Sequence, residues 1–229
     1  MSFLTYREGR RPAERRERLS AERVVKAALE LLDEVGLDEL TMRRLAERLG
    51  VKAASLYKHV RHKEELLVLL ADEISGAVAS PRAQGGWKAQ LLDLARSYRR
   101  GLLAHRDAAR VLAETAPAGP RRLRQIETVL AILRAARLGG RDAARAAYHL
   151  NNFVTEFVAD EERYRRAASA FGSRRKMFAE ARRYFASLPP AEFPSLVALA
   201  DHLSEDDPDG NFEFGLQVWI RGIERLRPG

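Results

Sequence analysis

Leu40–Leu66 reads LTMRRLAERLGVKAASLYKHVRHKEEL. Leu40, Leu45, Ala46 and Leu49 recur at helical spacing and give a first short helix its apolar stripe. Gly50 follows, a residue that can take the left-handed backbone of a sharp helix–helix corner. After it Val51, Leu56 and Val60 can turn inward together, which leaves Lys52, Ser55, Tyr57, Lys58 and His59 outside. A short helix presenting amines, a hydroxyl, a phenol and an imidazole suits a major groove and its phosphates. The stretch predicts a helix-turn-helix, and with it a double-stranded DNA partner.

The flanks extend the pattern. From Ser20 to Val35, Val25, Ala28, Leu29 and Leu32 form one face behind a serine suited to capping, and Gly36 ends the run. From Lys63 to Val78, Leu67, Leu70, Ile74 and Val78 share a stripe. Glu64 and Glu65 lie in its first turn, where the helix dipole favours anions. Composition then changes at Ser80, Pro81, Gly85 and Gly86, a seam between domains. Beyond it, spacing predicts helices from Trp87 to Ala104, after Arg106, from Arg121 to Arg137 and from Arg141 to about Ala167. Three more run from Lys176 to Leu188, Glu192 to Leu203 and Phe212 to Leu226, with the acidic SEDDPDG stretch as the last separator. No alternating strand pattern interrupts them. The expected fold is all-α. It divides into a basic arm at 1–19, a three-helix helix-turn-helix domain at 20–66, a connecting helix at 67–80 and a larger helical domain at 81–229.

Composition agrees. The chain has 229 residues and a formal charge of +8, a balance that favours polyanions although 32 acidic residues are interspersed. It has no cysteine, so disulfides and thiolate metal sites are excluded. No apolar run reaches membrane-spanning length and the N-terminus is charged, so a reducing cytoplasm is expected. His59, His62, His105, His149 and His202 are scattered, with no Ser/His/Asp order, phosphate loop or HExxH. Around Asp207 a calcium loop is suggested but not completed, because Phe212 takes the glycine position and Val218 the twelfth. No enzyme, cofactor or metal is expected.

The runs ALELLDEVG (28–36), LTMRRLAERLGV (40–51) and SLYKHVRHKEEL (55–66) carry a gap-free likeness. Leu19 to Val78 resembles the DNA-binding half of the tetracycline-repressor family. That resemblance implies an all-helical homodimer on a near-palindromic operator, usually a repressor released by a small molecule. It implies that Arg43 reads a guanine edge, where a bidentate contact is worth roughly 1–3 kcal/mol. Thr41 would bond a phosphate, cap its helix, or do both. Lys52, Ala53, Ala54 and Ser55 would meet base edges, the two alanines touching thymine methyls at most. Tyr57, His59 and Lys63 match phosphate-contacting positions, although Tyr57 also suits packing and His59 a helix end. His62 departs from the family, which places a better capping residue there. Arg7, Arg10, Arg11, Arg15, Arg16 and Arg18 make an arm for a minor groove or phosphates, or a disordered tail.

In the larger domain, FEFGLQVWIRGIERL (212–226) resembles the family's closing dimerisation helix, and the helix from Arg141 has a similar build. Ala147, Leu150, Val154 and Phe157 with Gly215, Trp219, Gly222 and Ile223 are the expected dimer interface. The glycines there would admit another backbone; packing of the two faces within one subunit is the alternative. LLAHRDAARVLAETAP (102–117) resembles the segment that enters the inducer site. Counting from it, the family's magnesium-ligating histidine falls at Leu112 and its drug-binding asparagine at Leu94, while Asp160 lies near a metal-binding carboxylate. Neither leucine can replace that chemistry, so a tetracycline–magnesium effector is not expected. Leu94, Tyr98, Leu112, Leu130 and Phe153, with Leu91, Ile126 and Leu133, are expected to wall a pocket for an apolar or aromatic molecule. Effector binding would reach DNA by tilting the helix that starts near Lys63. The rival reading is a constitutive or protein-responsive regulator without a small-molecule effector.

Overall fold

The computed structural model describes residues 19–82 and 84–227, and the arginines of the expected N-terminal arm lie outside them. Helix α1 (Ala21–Val35) starts where the Ser20 hydroxyl accepts the N–H of Arg23 at 3.2 Å, and it buries Val24, Val25, Ala28 and Leu32. Helix α2 (Met42–Leu49) is capped by Thr41 in the same way and closed by Gly50 in the left-handed region. Arg48 ties α2 to α1 through Glu34 at 2.7 Å and Glu30 at 3.2 Å. Helix α3 (Ala53–Leu56) is a single turn, shorter than the sequence pattern implied, and its anchor Leu56 is fully buried. Helix α4 (Lys63–Gly76) has His62, the departure from the family pattern, as its N-cap. Its Nδ1 accepts the N–H of Glu65 at 3.1 Å, while the Glu65 carboxylate takes the N–H of Arg61 at 2.7 Å. The imidazole therefore caps the helix, and Glu65 in turn holds the residue just before the cap.

The second domain comprises α5 (Gly86–Leu103), α6 (Ala108–Ala113), α7 (Pro120–Ala135), α8 (Gly140–Ala170), α9 (Arg174–Ala186), α10 (Pro194–Ala198), α11 (Ala200–Leu203) and α12 (Pro208–Leu226). Among the described residues there is no strand. Helices α5, α7 and α8 pack on one another, α12 lies on α8, and α4 runs from the first domain against α6 and α7. The span from Glu192 to Leu203, expected as one helix, is two short ones meeting at Leu199. Helix α12 begins at Pro208, earlier than expected. Asp207 accepts the N–H of Gly210 at 2.9 Å, Pro208 opens the helix and Asp209 sits in its first turn. These are helix-start signals, and the acidic separator contains them. Phe212, Leu216, Ile220 and Ile223 are buried under α12. Arg99 of α5 fastens that corner, with Glu161 of α8 at 2.6 Å, Asp209 of α12 at 2.7 Å and the Phe212 ring 4.8 Å away.

The two domains meet at Gly36, whose φ of +80° and ψ of 172° lie in a region that side chains avoid. A Cβ there would stand 2.8 Å from Asp107 Oδ2 and 2.9 Å from Arg106 Nε. Gly36→Ala is expected to lower unfolding stability by about 1–3 kcal/mol, the scale of such backbone strain. An unchanged denaturation midpoint would contradict this.

Candidate functional site

The outward surface of the helix-turn-helix is chemically simple. Arg43 leaves α2 with its side chain 87% exposed and rests against Glu47 at 3.3 Å. Thr41, Lys52, Ala53, Ala54 and Tyr57 are exposed, whereas Ser55 and His59 are half-buried. Tyr57 is 48% exposed, so packing does not occupy it. The Nζ of Lys63 donates to the Leu37 carbonyl at 3.3 Å and braces the loop between α1 and α2, which engages one of the three N–H donors of that ammonium.

Between α5, α7 and α8 lies a cavity of about 410 Å³. Leu94, Ala95 and Tyr98 line it from α5, Arg122, Gln125, Ile126, Val129 and Leu130 from α7, and Ala144, Ala147, Tyr148, Leu150 and Asn151 from α8. The wall is mostly apolar, with a few convergent polar groups, as small-molecule sites usually are. Tyr98 donates to Asn151 Oδ1 at 3.0 Å, and burial pushes its phenol pKa up. Of the expected wall, Leu94, Tyr98, Ile126 and Leu130 are there. Leu112 is packed in the core of α6 and Phe153 stacks on Phe212 with ring centres 5.4 Å apart, so neither reaches the cavity. Arg122, Gln125 and Asn151 were missed, because polar residues in a helical sequence read as solvated surface.

The expected dimer residues also divide differently. Ala147 and Leu150 line the cavity, and Val154 and Ile223 are buried within the subunit. Phe157 packs edge-on against Phe212 at 5.1 Å. A Cβ on Gly215 would stand 2.6 Å from the Phe153 ring, so this glycine admits a ring of its own subunit, not a partner backbone. Packing within one subunit accounts for this side of α12. The opposite ridge is open: Phe214, Val218 and Leu226 are exposed, and nothing lies within 4 Å of a Cβ on Gly222. Trp219 is half-buried.

Two carboxylates join the helix-turn-helix to the helices of the larger domain. Asp107, at a left-handed φ of 56°, accepts the N–H of Leu37 at 2.9 Å and pairs with Arg166 of α8 at 2.7 Å. Around it His105 and the Arg106 N–H hold Asp33, and Arg110 holds Asp38. On the other side, Asp72 of α4 accepts the N–H groups of Arg121 and Arg122 at 2.8 and 2.9 Å, capping α7. A Cβ on Gly119 would collide with it. Asp160 pairs with Arg163, and no group of three or more His, Asp or Glu side chains among the described residues could hold a metal. No helix among them is long and apolar enough to cross a membrane.

Residues 24–70 match the profile of the bacterial regulatory proteins of the tetR family, and residues 80–227 match the tetracyclin repressor-like C-terminal domain. The chain belongs to the tetracycline-repressor family. It is 38% identical to tetracycline repressor protein class A from transposon 1721 of Escherichia coli, over 92% of this chain and 93% of that one. Among solved structures, the family protein ActR of Streptomyces coelicolor in complex with (S)-DNPA has 37% identity and a TM-score of 0.80, covering 90% of this chain and 98% of that one. ActR in complex with actinorhodin has 36% identity and a TM-score of 0.81, covering 90% and 95%. This member of the tetracycline-repressor family is accordingly a DNA-binding transcription regulator and not an enzyme.

Burial opposes ionisation of Asp107, but the Leu37 N–H and the Arg166 and Arg110 guanidiniums outweigh it and hold the carboxyl below the usual aspartate range. A depressed carboxyl contributes stability above its unfolded pKa and loses it as pH falls through the folded value. Glu162 has the opposite sign: burial and the Asp107 charge raise its pKa, so its unfavourable ionised form is relieved as pH falls through that raised value. Asp107→Asn should therefore speed hydrogen exchange at the Leu37 amide and cost about 1–3 kcal/mol at neutral pH. The difference from wild type should shrink in strong acid. An equal deficit across the whole acid range would refute the assignment.

Proposed function

We propose that this regulator is a homodimeric repressor that leaves a near-palindromic operator when a small apolar or aromatic molecule fills the cavity between α5, α7 and α8. One observation carries this reading: the helix that walls the cavity is the helix that grips α4. Arg122 and Gln125 of α7 face the cavity, while the N–H groups at the start of α7 are held by Asp72 of α4. A molecule seated against α7 acts on α4 through one turn of helix, and α4 carries the helix-turn-helix. The complexes of ActR with (S)-DNPA and with actinorhodin support a ligand-responsive reading. A constitutive regulator has no use for such a cavity.

On DNA, Arg43 supplies the guanine contact and the first turn of α3, from Lys52 to Ser55, faces base edges. Tyr57 and His59 position the backbone. The dimer forms through the exposed Phe214–Val218–Gly222–Leu226 ridge of α12, four residues apart along one stripe, with Trp219 at its margin. Twofold pairing there supplies two half-site readers.

Arg43→Ala should weaken operator binding by about 1–3 kcal/mol and relax preference at one base position per half-site. Fluorescence anisotropy on the DNA upstream of its own gene measures this, and a uniform loss on all sequences would show a phosphate role instead. Phe214→Asp with Val218→Asp should convert the dimer into a folded monomer without operator affinity. Analytical ultracentrifugation decides the matter; a dimer that survives both charges rejects this ridge.

A further inference from the structure

The effector cavity contains a cation and no anion. Arg122 is 7% exposed, and its guanidinium is held by neutral oxygens alone: Thr115 Oγ1 at 2.8 Å, the Thr115 and Ala116 carbonyls at 3.2 and 3.4 Å, and the Leu112 carbonyl at 3.0 Å. No aspartate or glutamate lines the cavity. The carboxylate whose charge reaches Arg122, that of Asp72, is occupied with the backbone N–H groups of Arg121 and Arg122. Arginine has five N–H donors. Nη1 makes the bonds to Thr115 and Ala116 and Nη2 makes one to Leu112, so Nε and one Nη2 hydrogen have no acceptor among the described residues.

The contrast with Arg99 is instructive. That guanidinium is also largely buried, yet it has Glu161 and Asp209 beside it. A buried guanidinium without a counter-charge is costly, and burial pulls the Arg122 pKa down, although arginine stays protonated near neutrality. The other polar groups on the wall, Tyr98, Gln125, Tyr148 and Asn151, are neutral. We propose that the effector is an organic anion, an apolar body bearing a carboxylate or comparably acidic group that docks on the free edge of Arg122. The assignment rests on the cavity being the effector site. A cationic ligand is repelled there, and a neutral one can accept from the free donors but leaves the guanidinium charge unopposed.

The probes are 2-anthracenecarboxylate and its uncharged carboxamide, titrated into the full-length protein at neutral pH with anthracene fluorescence as the readout. The acid is expected to bind about tenfold tighter or better, the scale of one charge-assisted hydrogen bond. Arg122→Gln should erase the preference and Arg122→Lys should keep part of it. Because Arg122→Gln also removes four internal hydrogen bonds, Gln125→Glu is the companion variant. It leaves the arginine in place, sets a carboxylate one turn away, and should abolish the preference by itself. Equal binding of acid and amide, or a preference untouched in both variants, overturns the anion assignment alone. Binding that survives Ala147→Trp, which fills the cavity, overturns the effector-site reading itself. So does failure of the wild type to bind either probe.

Discussion

Asp72 is the contact on which the molecule's architecture turns. Its carboxylate sits at the positive end of α7 and accepts two backbone N–H groups that no residue within that helix can satisfy. The same side chain belongs to α4, whose first turn is built into the helix-turn-helix. Gly119 is required because anything larger would push the carboxylate away. A helix terminus is thus the joint between the domains, and a hydrogen-bonded terminus is directional. Small rotations of α7 change its geometry, whereas an apolar contact of similar area would slide.

A second joint lies at the start of α6. Asp107 reaches back over 70 positions of sequence to the Leu37 N–H, with Arg166 securing its other oxygen. Lys63 takes the carbonyl of the same Leu37. Both polar groups of one loop residue are therefore held, one by α4 and one by the larger domain. The turn of α3 is short, so its position is set by the burial of Leu56 and its packing on α2 more than by intrinsic helix stability. Isolated turns of four residues are unstable in water. Its placement is inherited.

The helix-turn-helix was legible in the sequence because every contact that defines it is local. Leu45, Ala46, Leu56 and Val60 are buried where their spacing put them, and Ser20, Thr41 and Gly50 cap and close helices as their chemistry requires. His62 is hard to read as a cap because imidazoles seldom take that position. Asp207-Pro208-Asp209 suits a loop and a helix start alike, and only packing of Phe212 against α8 decides between the two. The faces of α12 were ambiguous for a different reason. Phe212, Phe214, Leu216, Val218, Trp219 and Ile220 surround the helix with apolar side chains, and periodicity does not say which stripe meets the subunit's own core. The joints at Asp72 and Asp107 were not legible at all, since an aspartate on a helix face looks the same whether it meets water or a distant N–H.

The energetic scale of these joints bears on how the proposed switch would operate. An anion at a helix N-terminus contributes about 0.3–2 kcal/mol, depending on burial, and a factor of ten in affinity needs about 1.4 kcal/mol. Loosening one such contact moves DNA affinity by at most about one and a half decades. Linkage requires that the ligand bind the DNA-incompetent arrangement more tightly by the factor it removes from operator binding. In the proposed twofold assembly the increments from two subunits would add, because a two-half-site operator needs both readers at fixed spacing. A modest contact repeated by symmetry is then sufficient, and a stronger one would demand a tighter-binding effector to break it.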